Sequence, residues 1–190
     1  SSMYYDSAIA LYDGLIKSEK DTNRLETYKY GRIDCLTGKG LLSAKLYQYQ
    51  QSINYYVQCI AELEHLTGNK KNSHLATLYA DIASNYYELE QFDNALKYDK
   101  GALPFLDKNV DMDLFVIGHL FVADDYSGLL QFDSSSVYLE KVRPTIMQLN
   151  KQILNIRLYY ILGGIYRKKK EWNSALSSFI KANESAKKIK

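Results

Sequence analysis

The chain has 190 residues, 46% apolar and 24% charged, a balance that can bury a core and excludes a disordered tail. Its net charge of +2 hides an asymmetry, because residues 151–190 carry ten Lys or Arg against two Glu, while the first 150 carry fourteen against twenty Asp or Glu. Two prolines leave little turn chemistry for a sheet, no apolar run reaches the roughly 18 residues of a membrane span, and Cys35 and Cys59 lack metal-knuckle spacing.

Taken in chain order, the sequence reads as helices. SSMYYDSAIALYDG lacks the basic-then-apolar order of a secretory signal and opens a helix over 3–18, closed by DTN at 21–23. A long helix is expected over 23–46, because its pattern starts as early as Leu25, and another over 49–66 before the turn TGNKKNS at 67–73. Helices over 72–89 and 92–107 precede KNVDMD at 108–113. The remainder reads as helices over 112–129, 132–148, 152–169 and from 172 to the end, with turns QFD at 131–133 and KKKEW at 168–172. Pro104 and Pro144 sit inside two of these segments. Each ring clashes with the preceding turn, so a kink or restart is expected near 102–104 and 142–144, with the added residues forming an extra turn or two before the next helix.

The segments repeat. LEQFDNALKYDKGALP (89–104) and LLQFDSSSVYLEKVRP (129–144) align without gaps at a shift of 40, and KEWNSALSSFIKANES (170–185) follows after another 40. YQYQQSINYYVQCIAEL (47–63) fits at a shift of 43 and YYDSAIALYDGLI (4–16) at a further 44. The first helix of each pair carries a small residue at Gly40, Ala83, Ala123 and Gly163. The second carries one at Ala8, Ser52, Ala95, Ser135 and Ala175, three positions after an aromatic at Tyr5, Tyr49, Phe92, Phe132 or Trp172. Small residues let two helix backbones approach closely, and the aromatics are expected to fill the volume beside that crossing.

This arrangement resembles the tetratricopeptide repeat (TPR) family, in a stretched form, since its period of 40 to 44 exceeds the family's 34. Lys39 stands where that family has Leu, and Ser43 where Tyr86, Tyr126 and Tyr166 recur. The resemblance implies an all-α, right-handed superhelical solenoid of about nine helices spanning 1–190: a half-repeat at 3–18, then repeats near 23–66, 72–107, 112–148 and 152–190. It also implies a concave groove lined by the first helix of each pair. Carried over residue by residue, the groove positions include Asp81, Ser84 and Tyr87 of the third repeat, Phe121 and Asp124 of the fourth, and Arg157, Tyr160, Arg167 and Lys168 of the fifth. The Lys, Asn and Arg set with which some members clamp a terminal carboxylate is absent. Asp81, Ser84, Tyr87, Asp124, Tyr160 and Arg167 are the candidate partner-binding residues, suited to an extended or helical segment with a positive portion and an apolar anchor.

No nucleophile elbow, phosphate-cradling glycine loop, His-Glu-x-x-His or cysteine pair occurs, so neither an enzyme, a cofactor nor a metal site is expected. Glu62 and His65 read as a solvated helix face, His74 as a turn residue, His119 as a packed core histidine, and Cys59 as a small buried hydrophobe. The basic end and eighteen tyrosines permit nucleic-acid contact, but the tyrosines in repeat register belong to the core and the charge run to a turn. The expected function is protein interaction. The Tyr-, Asn-, Lys- and Gln-rich repeats resemble the sensory or scaffolding segments of Bacteroidota-type regulators, which implies a periplasmic rather than cytoplasmic setting; self-association through the terminal helices is the alternative.

Overall fold

The computed structural model describes residues 2–67 and 70–189, so the turn expected at 67–73 lies partly outside the described residues. The described residues form nine α-helices and no strand. They are α1 (Ser2–Ser18), α2 (Thr22–Lys45), α3 (Tyr49–Leu63), α4 (Lys71–Glu88), α5 (Phe92–Ala102), α6 (Met112–Gly128), α7 (Phe132–Leu149), α8 (Gln152–Lys168) and α9 (Trp172–Lys187). The chain divides into two units, Ser1–Gln91 with α1 to α4 and Phe92–Lys190 with α5 to α9.

Helix starts and stops have local causes. The Asp21 side chain accepts from the Arg24 amide at 2.9 Å to cap α2, and Asp111 accepts from Leu114 at 3.0 Å to cap α6. Four helices end the same way, in a left-handed residue two positions before the next aromatic: Tyr47, Glu90, Leu130 and Lys170. After each, a backbone amide reaches back to the preceding helix, Gln48 to Ser43, Gln91 to Tyr86, Gln131 to Tyr126 and Glu171 to Tyr166, at 2.8 to 2.9 Å. These bonds satisfy carbonyls that a helix end otherwise orphans.

In the first unit α1 packs on α2, α2 on α3 and α3 on α4. Ile33 and Leu36 of α2, Ile53, Tyr56, Cys59 and Leu63 of α3, and Leu78 and Ile82 of α4 fill its interior. Arg32 of α2 ties three helices by pairing with Asp13 of α1 at 2.6 Å and with Glu62 of α3. Glu62 is therefore an ion-pair partner and not a solvated group, because α2 is long enough to place Arg32 beside it. His74 is likewise no turn residue. It lies in the first turn of α4, where its ring contacts the Lys70 carbonyl at 2.9 Å and Asp34 of α2 at 3.2 Å.

The second unit centres on one apolar cluster: Val116, Leu120 and Ala123 of α6, Leu139, Val142 and Ile146 of α7, and Leu154, Leu158, Ile161 and Ile165 of α8. Each set follows the three- and four-residue helical spacing that makes one stripe. His119 packs here, 2% exposed, its Nδ1 on the Phe115 carbonyl at 2.8 Å.

Eight of the nine small crossing residues are buried, and Ala8 is half-buried. A Cβ on Gly163 would stand 2.6 Å from the Phe179 ring, and one on Gly40 would enter the Tyr56 ring, so glycine there permits the crossing. The aromatics that open the second helices are less buried than the sequence implied. Tyr5, Tyr49, Phe92 and Phe132 are half-buried and Trp172 is 63% exposed. Their position explains it. Phe92 covers Gly128 at the end of the following first helix, and Phe132 lies under Lys169 just past the end of α8, so each is sheltered from one side.

The two prolines differ. At Pro104 the helix gives way to a 3-10 turn, Leu103–Phe105, with no buried residue, and a loop follows. At Pro144, where a restart was equally expected, α7 continues to Leu149. Val142, Thr145 and Ile146 are buried around that proline, and their burial holds the helix together against the lost hydrogen bond. The stretched period is thus met by a 3-10 turn and loop after α5, and by extra helix in α7.

Candidate partner-binding surface

The groove candidates of the first unit lie on α4. Asp81, Ser84 and Tyr87 follow at three-residue spacing and so share one face. Ser84 and Tyr87 are exposed. Asp81 is half-buried, and burial pushes its carboxyl up to about 6, so it is ionised at neutral pH but close to its titration.

Those of the second unit lie on α6 and α8, which pack against each other. The Arg157 guanidinium of α8 stacks over the Phe121 ring of α6 at 4.5 Å, so the two helices present one continuous face. Asp124 lies one turn beyond Phe121 and acts electrostatically on Lys168 of α8. The Lys168 ammonium donates to the Ser127 carbonyl at 2.7 Å; burial lowers its pKa, and Asp124 opposes that shift. Arg167 is exposed beside it. Asp124 is therefore brought together with the basic end of α8. Tyr160, 64% exposed, leans edge-on against Phe179 of α9 at 5.9 Å.

Beneath this face lies a feature that sequence reasoning missed. Asp99 of α5 and Asp125 of α6 are buried, at 6% and 1% exposure, and their side chains hydrogen-bond to each other. Two carboxylates cannot bond without a proton between them. Burial is the largest cause raising both. It takes Asp99 up to about 7, where the bond to Asp125 and the charge of Arg157 restrain it, and takes Asp125 up to about 9, where Asp99 and Asp124 add to the rise. The two carboxyls share a proton, and the titration belongs to the pair rather than to either residue. Asp125 Oδ2 has no hydrogen-bond partner. A signal was present in the repeat register: at a shift of 40, Asp99 aligns with Leu139 and Asp125 with Ile165, both buried.

Among the described residues no group of three or more His, Cys, Asp or Glu could hold a metal ion, and no helix is long and apolar enough to cross a membrane. Three shallow pockets of the second unit lie elsewhere. One, between α7, α8 and α9, is lined by Arg143, Tyr159, Tyr166, Ser174, Ser177 and Lys181 among others. Arg143 is already held by Glu140 at 2.7 Å, and Lys181 lies over the Tyr159 ring at 5.5 Å.

No protein-family model matches the chain, and no curated protein matches it. Among solved structures it is similar to MamA, known from a crystal structure, with a TM-score of 0.58 and 16% identity over 97% of this chain and 90% of that one. At that identity the likeness bears on fold alone, and it supports a TPR-like helical-repeat fold.

Proposed function

We propose that the chain is a non-enzymatic protein-interaction module that takes a peptide or protein segment on the first-helix face of its second unit, through Asp124, Tyr160 and Arg167, with Asp81, Ser84 and Tyr87 forming a separate candidate face on the first unit. The observation that carries this reading is the continuous α6–α8 face, where an Arg157–Phe121 stack lies between an acidic side chain and a basic helix end. Such a face offers one apolar anchor and charge selection in both directions, which suits a short segment carrying a basic residue near an aromatic or aliphatic one. A wider role as the sensory or scaffolding part of a bacterial regulator, in a periplasmic setting, is supported by composition alone.

The test uses a defined panel of immobilised twelve-residue peptides that vary basic and apolar content, followed by amide chemical-shift mapping with the tightest binder. Shifts clustered at Phe121, Asp124 and Arg157, and at least tenfold weaker binding by Asp124→Lys and Arg167→Glu, support the assignment. Unchanged affinity in both variants overturns it.

A second reading, self-association, has an observation of its own. Leu176 and Ile180, one turn apart on α9, are exposed with Trp172, and Met3, Tyr4 and Leu11 are exposed on α1. A clean monomer by light scattering at high concentration removes it.

A further inference from the structure

The repeat register shows where the second unit departs from its own plan. The column of Asp99 holds Tyr56, Leu139 and Phe179 in the other repeats, and the column of Asp125 holds Asn85 and Ile165. Tyr56 and Leu139 are at most 1% exposed, and Asn85 and Ile165 are also buried. Two acids have therefore entered two interior columns, and they have entered at the same helix junction, facing each other. A lone buried acid must either take up a proton or leave its charge unpaired, whereas a second acid beside it gives one oxygen of each a partner through a shared proton.

We propose that the Asp99–Asp125 pair is a proton-dependent latch between α5 and α6, closed while it holds its shared proton and loosened when that proton is lost. The charged groups that act on it are few. On α6 itself Asp124 adds negative charge, and from α8 Arg157 attracts Asp99, while Lys168 of α8 is drawn to Asp124. The 3-10 turn after α5 is Leu-Pro-Phe, without a titratable side chain, and α7 meets α6 in the apolar cluster through Leu139, Val142 and Ile146. One guanidinium thus stands against three carboxyls, the pair and Asp124, too little to stabilise both members ionised in a buried site.

The direction of the pH response follows from linkage. In the unfolded chain both acids titrate near the ordinary value of about 4. In the folded chain both are raised. From about pH 4 up to the pair's own titration the folded state therefore holds more protons than the unfolded one, and the junction weakens as pH rises. Below the ordinary range both states are protonated, and the pair's full contribution is present. Each proton released on opening makes the opening constant climb by up to about tenfold per pH unit. Because α6 also carries Phe121 and Asp124, loosening it changes the face described above, but the latch does not depend on that face binding anything.

Hydrogen exchange on the complete 190-residue chain between pH 5 and pH 9, corrected for intrinsic exchange, tests it. The expected result is an opening constant for α5 and α6 that rises steeply with pH, at least tenfold across the range, while α2 and α3 of the first unit stay flat. The double variant Asp99→Asn/Asp125→Asn keeps a neutral hydrogen-bonding pair and should remove the slope. Equal slopes in the two proteins, or a flat wild-type profile, overturn the latch. Should the variant not fold, carbon NMR titration of the wild-type aspartate carboxyls decides alone. Two resonances with midpoints above pH 6 assignable to Asp99 and Asp125 support it, and midpoints in the ordinary range for both reject it.

Discussion

The junction between α3 and α4 in the first unit and that between α5 and α6 in the second occupy the same place in the repeat, yet they are built from opposite chemistry. In the first, Tyr56 fills the interior and Asn85 donates to the Ser52 hydroxyl at 3.1 Å, so the side chains in the two matching columns are neutral. Opposite-sign pairs in this unit tie α1, α2 and α3 together, with Arg32 between Asp13 and Glu62, and Lys39 on Asp6 at 2.6 Å. In the second, two like-charged acids take the same columns and must share a proton. The difference teaches that a helical repeat fixes which positions are interior but not how an interior polar group is satisfied. Asn85 solves the problem with an amide, and Asp125 solves it with pH.

The strongest way to break this comparison is to place an acid in the same column without its partner. Leu139→Asp, inside the apolar cluster of α6, α7 and α8, should cost about 3–5 kcal/mol in urea unfolding at pH 7, because the new carboxyl has nothing to share a proton with. Adding Ile165→Asp should recover more than about 1 kcal/mol of it at pH 5. A loss below about 1 kcal/mol for the single variant would show that pairing is not what admits Asp99. Next in size, the two crossing glycines should separate the units. Gly40→Ala meets Tyr56, which is fully enclosed, whereas Gly163→Ala meets the half-buried Phe179, which can yield. Since alanine gains helix propensity at both, the expected outcome is a net loss of about 1–2 kcal/mol for Gly40→Ala and a change within about 0.5 kcal/mol for Gly163→Ala, read as denaturant midpoints.

A smaller effect tests the opposite-sign pairs. Arg32→Met removes both partners' contact but keeps the aliphatic stem, and since the three side chains are partly exposed the loss should be about 1 kcal/mol at most and shrink in high salt. Thermal melts in low and high salt measure it. The smallest expected effect is a gain. Leu130→Gly relieves a left-handed residue that is 62% exposed and should stabilise the chain by about 0.5 kcal/mol, the balance of relieved backbone strain and glycine's greater chain entropy.

Much of the fold was legible because close helix crossings demand small residues at fixed spacing, and those residues could be counted in register from Ala8 to Ala175. Burial that depends on the next element was less legible. Trp172 shares its column with Phe92, but a position at the very start of a helix is covered by the helix that follows, which the column does not reveal. Pro144 misled for a related reason: side chains buried around it decide whether the helix survives, and local propensity does not contain them. Of the candidate surface, register assigned Asp81, Ser84 and Tyr87 to α4, Asp124 to α6, and Tyr160 and Arg167 to α8. The Arg157–Phe121 stack and the attraction of Lys168 to Asp124 arise between helices, beyond what spacing in one helix specifies. Asp99 and Asp125 were visible as acids in columns that are interior elsewhere in the array, but their pairing is a tertiary fact.

The four left-handed turns carry a consequence for how such a chain can vary over time. Tyr47, Glu90, Leu130 and Lys170 have nothing in common as side chains, and all bend the backbone the same way because the closing amide-to-carbonyl bond is made by main-chain atoms alone. The corner is written in a code that ignores its letters. Substitutions can accumulate there without moving the helices on either side, so two such arrays can drift until little identity is left and still be superimposable.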